Sequence, residues 1–430
     1  MSTIRERYDA LRALGLKLDL TRGQPGDDNF DISNAMLTIV DGKTLVTPSG
    51  VALRNYPGGI AGLKEARELF APMLGVAADE IIVGNNASLE LEGKVLMWAM
   101  LRGVPKSPAP WCKGEVKVIV TVPGYDRHFL MLERLGIAMV PVAMKSDGPD
   151  IDAIEKIVAS DPTVKGLLYV PTYSNPTGDT TSQAVADRLG AMKTAAPDFT
   201  ILADDAYAVH HLDDTPPPHP DLLGAAKKAG NPTRVILFGS TSKITFASGG
   251  VGFLAGSKET IAWIGELLGT QMISPNKVEQ YRHVLFLGKY PGGIAGVMKA
   301  HAKLLAPKFA AVEDVLSREL SGKGLARWTK PKGGYFVSLD TESRWPARWS
   351  SLPRKPAWRS PRPAQPIPSA RIPATAISAF RQPAHPSSRC ARRWKSSRSA
   401  CSSLLSSANW AKSGTLVLCG ASFFWPARRL

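Results

Sequence analysis

Short apolar runs alternate with segments of helical period through the middle of the chain, from about residue 64 to 300. The apolar runs end in turn residues and are EVKVIVTV (115–122), VKGLLYV (164–170), FTILAD (199–204) and RVILFG (234–239). Segments between them, such as 89–103 and 183–195, repeat apolar residues with the period of a helix. This alternation predicts an α/β fold in which a mostly parallel sheet carries helices on both faces.

Segment 275–320 predicts helices with one interruption, which lead from this sheet into a second domain. The string YPGGIAG occurs at 56–62 and again at 290–296, between different flanking sequences. The sequence alone gives no physical reason for the second copy.

Composition indicates a globular protein without a membrane span. The 430-residue chain is 44% hydrophobic and 21% charged, and it is long enough for two or three domains. Its N-terminus lacks the apolar core of a secretory signal, and no apolar run has the length of a membrane span, so we expect a cytoplasmic protein. The four cysteines have neither disulfide nor metal-site spacing.

Unusual residues stand at the ends of four predicted strands, the place where parallel sheets bind ligands. Tyr125 follows the first of these strands, Asn175 follows the second, Asp204 ends the third, and Lys243 follows the fourth. Alone, a lysine in a Ser/Gly-rich loop is usually a surface residue, and Asn-Pro-Thr-Gly is usually a turn. Because all four occur at strand ends, together they predict one functional site.

Three motifs around these residues resemble those of one enzyme family. NPTG (175–178), DDAY (204–207) and STSK (240–243), in this order and spacing, resemble fold-type I, pyridoxal-phosphate-dependent aminotransferases of the aspartate aminotransferase group. GSTSKITFASGGVGF (239–253) and RNYPGGIAGL (54–63) are similar to a bacterial subgroup. The resemblance covers about 20–341 and implies a homodimer that transfers an amino group from an amino acid, expected to be aspartate, to a 2-oxo acid, expected to be 2-oxoglutarate.

The resemblance implies roles for the strand-end residues toward pyridoxal 5'-phosphate. Lys243 is expected to hold the cofactor as a Schiff base and to move a proton, and Asp204 to pair with the ring nitrogen and keep it protonated. Tyr207 and Asn175 are expected to donate hydrogen bonds to the ring's phenolate oxygen, and Asn175 also to bind substrate. Tyr125 is expected to stack on the ring.

The phosphate of the cofactor is expected at the turn NNAS (85–88), which follows a strand and opens a helix with free N–H groups. By resemblance, its contacts are Ala87, Ser88, Ser240 and Ser242, with Tyr56 reaching in from the neighbouring subunit. Gly23 resembles the N-terminal loop that closes over substrate. One position departs from the pattern: many relatives carry an arginine eight residues after the lysine, where this chain has Val251.

The resemblance also implies the domain boundaries. We expect an N-terminal arm with part of a small domain over 1–45, a large cofactor-binding domain over 46–295, and the start of a C-terminal small α+β domain over 296–342. The remainder, 343–430, is a tail of different composition. It holds 16 Lys and Arg and no Asp or Glu, whereas residues 1–342 hold 37 residues of each sign, so the net charge of +16 belongs to the tail alone.

Three interpretations of the tail are open: a basic nucleic-acid arm, a disordered tail, and a shifted reading frame. Six tryptophans and three cysteines argue against the first two, because both residue types favour aggregation. A shifted reading of 353–380 permits the string AAEAGVALTPAGATYPFGKDPRDRNIRI, whose NIRI element resembles the family segment carrying the substrate-carboxylate arginine. In the chain as written, that codon straddles Ser378 and Ala379. We therefore favour the frameshift, an incomplete small domain, impaired activity and no nucleic-acid partner.

Other functions stay open at this stage. Adjacent histidines at 210 and 211 suggest a metal, but no carboxylate has ligand spacing to them, and we expect no metal site. The alternatives are another fold-type I enzyme, either a transaminase for a different amino acid or a lyase, and a non-enzymatic cofactor-binding regulator.

Overall fold

The computed structural model describes residues 4–15, 23, 25–56, 58–341 and 416–419. Apolar periodicity predicted helices at 89–103 and 183–195, where α4 and α7 lie. The helices in the first half of the described chain follow in chain order. They are α1 (Ile4–Ala13), α2 (Asp27–Asp31), α3 (Lys64–Phe70), α4 (Ser88–Arg102), α5 (Asp126–Arg134), α6 (Ile151–Val158) and α7 (Gln183–Ala191). Those that follow are α8 (Leu222–Lys228), α9 (Lys258–Gly269), α10 (Lys277–Lys289) and α11 (Gly293–Leu320).

The main sheet has eight strands in the described part of the chain, in the order β1-β8-β7-β6-β5-β2-β3-β4. They are β1 (Ile81–Val83), β2 (Lys117–Val122), β3 (Ala138–Lys145), β4 (Gly148–Pro149), β5 (Val164–Tyr169), β6 (Thr200–Asp204), β7 (Val235–Ser240) and β8 (Gly252–Ala255). Strands β3, β2, β5, β6 and β7 pair in parallel, whereas β8 pairs antiparallel with both β7 and β1. The predicted α/β fold with a mostly parallel sheet is confirmed.

Both faces of the central strands are buried, which explains why these strands are apolar throughout. On β2, Ile119 belongs to one apolar cluster, and its neighbours Val118 and Val120 belong to the cluster on the opposite face. On β6, Ile201 and Leu202 divide in the same way, because successive side chains of a strand point to opposite faces. Burying each such side chain stabilises the fold by about 1.5–3 kcal/mol.

Helices α10 and α11 are separated by a break, as predicted for 275–320. The break coincides with the second YPGGIAG copy: Pro291 has no N–H to continue a helical ladder, and Gly292 adopts φ 79° as the N-cap of α11. The first copy lies in a loop before α3. No helix in the part of the chain that the structure describes is both long and apolar enough to cross a bilayer.

A second, smaller sheet follows α11. It has the order β11-β10-β9, formed by β9 (Ala326–Trp328), β10 (Phe336–Thr341) and β11 (Leu416–Cys419), with both pairings antiparallel. The sequence predicted no helix or strand at 416–419. The other residues of the predicted tail lie outside the described residues, so its interpretation stays a prediction.

The segment that connects β7 to β8 carries Lys243 and is held by a buried histidine of α10. The Nε2 atom of His283 lies 2.9 Å from Thr241 Oγ1 and 2.8 Å from Thr245 Oγ1, and its Nδ1 lies 2.9 Å from the carbonyl oxygen of Glu279. A carbonyl only accepts, so Nδ1 carries the proton and donates, and Nε2 accepts from the two hydroxyls. Burial lowers the pKa of His283 to about 4, in agreement with this neutral form.

We predict that this histidine makes the fold sensitive to mild acid. The unfolded chain binds a proton at His283 as the pH falls through its ordinary value of 6.5, whereas the folded chain does not until about 4. Stability is therefore lost as the pH falls through this window, and between pH 7 and pH 5 the loss is about 2 kcal/mol from this group. Urea unfolding should show that the His283→Gln variant lacks this part of the pH dependence.

His219→Gln is the matched control, because its pKa moves in the opposite direction. Burial lowers the pKa of His219, but its contact with Asp205, 2.5 Å from Nε2, outweighs this and raises it. The contribution of His219 to the free energy of unfolding is present at low pH and is lost as the pH rises. The His219→Gln substitution should therefore change the pH dependence of that free energy in the opposite direction. Equal pH dependence in the native chain and the His283→Gln variant would contradict the assignment.

Candidate active site

The carboxyl ends of four adjacent parallel strands bring the predicted site residues to one edge of the main sheet. Strands β7, β6, β5 and β2 are consecutive neighbours. Lys243 follows β7, Asp204 ends β6, Asn175 follows β5, and Tyr125 follows β2 as the N-cap of α5. The order of these residues along the chain is also their order across the sheet, and the parallel pairing of β2 with β5 places Tyr125 on the same edge.

Asp204 is part of a buried cluster with two residues that the sequence analysis missed. The Nε2 atom of His128 lies 3.3 Å from Asp204 Oδ2 and 3.2 Å from Glu92 Oε2. His128 comes from α5, and Glu92 comes from α4. The ligand atoms of the three groups lie within 4.8 Å of one another, a spacing that would also suit a metal ion. The imidazole nitrogen itself stands between the two carboxylates, and we assign the cluster as ion pairs.

The charges in this cluster follow from burial and from mutual attraction. Burial would lower the pKa of the His128 imidazole, but the charge of Glu92 and the contact with Asp204 outweigh it and raise that pKa to about 10. Burial and the Asp204 charge raise the pKa of Glu92 to about 7. Burial, with the same Asp204 charge, raises the pKa of the Tyr125 phenol to about 12. At neutral pH His128 is an imidazolium and Tyr125 is a neutral phenol.

Lys243 packs against the aromatic ring of Tyr207. Its Nζ lies 4.7 Å from the ring centre, within the range of a cation–π contact. The hydroxyl of Tyr335, from the segment before β10, donates to the carbonyl oxygen of Lys243 over 3.4 Å. His210 packs edge-on to Tyr207, and burial together with the charge of Lys243 lowers the pKa of His210 well below its usual value. The half-buried lysine therefore lies against an aromatic ring, with a neutral imidazole beside that ring.

Backbone hydrogen bonds tie the turn before α4 to β8, the strand that follows the loop carrying Lys243. Gly84 N–H donates to the carbonyl oxygen of Gly252 over 2.8 Å, and Gly252 N–H donates to the carbonyl oxygen of Asn85 over 2.6 Å. Ala87 is the N-cap of α4 and makes no side-chain cap bond, so its side chain satisfies none of the first N–H groups of the helix. This is the geometry expected of an anion site, and Ser88 stands at its first position.

Hydroxyl groups accompany this turn, but the cation that many relatives carry is missing. Ser240 ends β7, and Ser242 lies next to Gly250, where an added Cβ would come within 3.0 Å of Ser242 Oγ. Val251, at the arginine position, is 1% exposed and belongs to the apolar core. Its N–H donates to Thr241 Oγ1 over 2.8 Å.

Gly23 lies against β10 of the second sheet, and α2 is linked to the lysine loop through α11. A Cβ on Gly23 would lie 2.2 Å from the ring of Phe336 on β10, so this position admits only glycine as the structure stands. The amide Nδ2 of Asn29 on α2 donates to His301 Nδ1 over 2.9 Å, and His301 Nε2 donates to the carbonyl oxygen of Ile244 over 2.9 Å. One imidazole on α11 thus connects the N-terminal segment to the residue after Lys243.

Tyr56 is the one predicted site residue that the described chain leaves on its surface. It is 70% exposed, and the prediction that it reaches a neighbouring subunit stays a prediction. The signal for the two missed residues was present in the helical pattern. Glu92 falls on the apolar stripe of α4 beside Leu91 and Val95, where a charged residue requires a partner. His128 falls on the buried stripe of α5.

Comparison with known proteins gives consistent matches. The family model described as aspartate amino-transferase matches residues 1–354. The chain is 44% identical over 338 residues to an aspartate aminotransferase of Corynebacterium glutamicum, covering 78% of each protein. It is 26% identical over 342 residues to a 2-aminoadipate transaminase of Thermus thermophilus, covering 79% of this chain and 78% of that one. A crystal structure of an aspartate transaminase from Corynebacterium glutamicum has a TM-score of 0.76, with 79% of each chain covered.

We predict that the Gly252→Ala variant damages the anion site. The added Cβ would lie 2.5 Å from the carbonyl carbon of Ala87 and 2.9 Å from the amide nitrogen of Ser88, and both are backbone atoms that cannot rotate away. The turn must therefore shift, and we expect the Kd for pyridoxal 5'-phosphate to rise by about tenfold or more. Fluorescence titration measures this affinity.

Gly265→Ala is the control for the glycine substitution. Gly265 lies in α9 with nothing within 4 Å of an added Cβ, so the change should leave cofactor affinity unaltered. It should stabilise the helix by roughly 0.5–1 kcal/mol. Unchanged affinity in the Gly252→Ala variant would show that the turn at 84–88 does not hold the phosphate.

Proposed function

The chain belongs to the aspartate aminotransferase family, and we propose that it transfers an amino group between an amino acid and a 2-oxo acid with pyridoxal 5'-phosphate as cofactor. The proposed donor is aspartate and the proposed acceptor is 2-oxoglutarate. The observation that carries the proposal lies at one sheet edge: a half-buried lysine lies against Tyr207, and at the end of the neighbouring strand the buried carboxylate of Asp204 has no hydrogen-bond partner for its Oδ1 among the described residues.

The residues present fit this cofactor. Asp204 is 4% exposed, and a buried carboxylate oxygen without a partner is costly unless a donor arrives. A protonated ring nitrogen is such a donor, and Asp204 would favour its charged form. The open N-terminus of α4, with Ser88 and Ser240 nearby in the fold, would take the phosphate.

When bound, pyridoxal 5'-phosphate would supply an electron sink for the electron pair left at the substrate's Cα when its proton is removed. In the proposal, Nζ of Lys243 holds the cofactor and then takes and returns that proton. In the same proposal, Tyr207 and Asn175 would donate hydrogen bonds to the ring's phenolate oxygen, and Tyr125 would cover one face of the ring. The neutral phenol of Tyr125 suits this role because it adds no charge.

Exclusion of water would come from the N-terminal segment. Gly23 lies against Phe336, and α2 is fixed by Asn29 to His301 and by an ion pair between Asp28 and Lys308, 3.0 Å apart. Gly23 thus lies against the second sheet and α2 against α11, and in the proposal this part of the chain would close over substrate. Closure of this kind strengthens the electrostatic interactions inside a site.

The identity of the donor rests on the name of a relative and therefore needs its own test. The matched protein of Corynebacterium glutamicum is named for aspartate, whereas the more distant one of Thermus thermophilus is named for 2-aminoadipate. A screen of amino donors against 2-oxo acid acceptors separates these substrates. The same screen separates transamination from a lyase reaction, which needs no acceptor.

We predict that Lys243→Ala abolishes covalent retention of the cofactor. The ε-amino group of Lys243 lies against Tyr207 and is the nucleophile of the proposal, so the variant should carry no cofactor after borohydride reduction and should lack the visible absorbance of the native chain. Mass spectrometry of the peptide containing position 243 measures this. Lys289→Ala, an exposed lysine on α10, is the control and should behave as the native chain does. Reduced cofactor attached to another lysine in the native chain would contradict the assignment.

We further propose that residues 343–430 are read from a shifted frame and that the substrate clamp is lost with them. The segment has no acidic residue, and the match to the Corynebacterium glutamicum relative spans 338 residues of similarly long chains. A bidentate arginine is the usual partner of a substrate carboxylate, and neither Ser378 nor Ala379 can form one.

The tail proposal predicts a chain that takes up cofactor but turns over poorly. Loss of a buried charge pair costs about 2–5 kcal/mol, so kcat/KM for aspartate should lie at least about thirtyfold below that of the Corynebacterium glutamicum enzyme. Cofactor uptake should be comparable in the two proteins. Resequencing the gene at the codons for 340–344 tests the frame itself, and a rate equal to that of the relative would overturn the proposal.

A further inference from the structure

Glu92 is a buried acid that the proposed reaction has not yet used. It is 0% exposed, and neither carboxylate oxygen has a hydrogen-bond partner among the described residues. Its nearest opposite charge is the Nε2 atom of His128, 3.2 Å away. An ionised carboxylate buried without a counterion is strongly unfavourable, so the position of Glu92 makes sense only with a cation beside it.

The same imidazole also contacts Asp204, so one cation stands between two acids. His128 Nε2 lies 3.2 Å from Glu92 and 3.3 Å from Asp204. With both acids ionised the cluster has one net negative charge. When Asp204 also pairs with a protonated ring nitrogen, two positive and two negative charges are present and the buried cluster is neutral. Without Glu92, the same state would hold two positive charges against one negative charge.

We propose that Glu92 is a positioning residue for the cofactor: it holds His128 as an imidazolium and supplies the second negative charge that the cluster needs when Asp204 pairs with the ring nitrogen. This inference rests on the proposed function. Glu92 acts through His128 and Asp204 and touches neither substrate nor cofactor in this assignment.

The other ionisable groups that face the cluster agree with this charge count. The cluster itself holds Glu92 from α4 and Asp204 from β6. The other groups are Tyr125, at the N-cap of α5, and Lys243, in the loop after β7, whose charge favours ionised Glu92. Burial and then Asp204 raise the pKa of Glu92 to about 7. A cation that neutralises Asp204 removes part of this repulsion, so cofactor binding should complete the ionisation of Glu92.

The first experiment needs no cofactor. Histidine side chains are labelled with carbon-13 at Cε1, and the His128 resonance, assigned by its loss in His128→Gln, is followed against pH by NMR. In the native chain we expect His128 to stay protonated through pH 8. In Glu92→Gln its pKa should fall by about 1–3 units. Glu92→Asp should restore most of the shift, because it keeps the charge.

Glu80→Gln is the matched control for loss of a buried acid. Glu80 is 8% exposed and pairs with Lys227, so its removal destabilises the chain without touching the cluster. The His128 pKa should be unchanged in this variant. A His128 that is neutral at pH 7 in the native chain would overturn the proposal even if Glu92→Gln fails to fold. One metal ion bound per chain at this cluster, found by elemental analysis, would overturn it as well.

The second experiment uses the chain loaded with cofactor, and it distinguishes failure of the Glu92 inference from failure of the proposed function. If the visible absorbance of the bound cofactor titrates at a pH at least one unit lower in Glu92→Gln than in the native chain, Glu92 supports ring protonation. If the His128 pKa depends on Glu92 but the absorbance titration does not, the charge supply to the ring is wrong and the proposal fails. If the native chain takes up no cofactor, the proposed function fails, while the NMR result on Glu92 and His128 still stands.

Discussion

The parallel pairing of β7, β6, β5 and β2 places four strand ends at one edge, and helices α4 and α5 bring two further buried charged side chains, Glu92 and His128, to Asp204 there. Charges gathered there cannot be compensated by solvent and must compensate one another. The imidazole of His128 between two carboxylates is the direct result. The helices that supply the partners, α4 and α5, follow the strands β1 and β2, so the sheet topology also decides which charges meet.

Much of this arrangement could be predicted from the sequence because the decisive residues stand at strand ends. Asp204 and Lys243 are separated by a single helical crossover, and the strands before them are apolar enough to be recognised without a structure. Glu92 and His128 could not be found in that way. They are 36 positions apart on two helices, and their proximity depends on how α4 and α5 pack against the sheet. Only an acid on an apolar helical stripe hinted that a partner existed.

The repeated string YPGGIAG shows that a short stretch of sequence does not by itself determine its conformation. The copy at 290–296 ends one helix and begins the next, whereas the described residues of the first copy, 56 and 58–62, lie in a loop. Identical residues thus have two conformations, and the flanking sequences and the tertiary contacts decide between them. Val251 gives the same lesson for side chains: the motif around it is that of the family, but the residue itself packs into the core and brings no charge.

The imidazole of His301 joins an asparagine and a peptide carbonyl that are far apart in the sequence. Asn29 and His301 are separated by 272 positions, and each needs the other because a buried hydrogen-bonding group left alone is costly. Drift at either position is therefore restrained by the other, and the pair should be inherited as a unit. A substitution at His301 would also leave the carbonyl oxygen of Ile244 without this donor. We therefore expect changes in the N-terminal segment and in α11 to occur together.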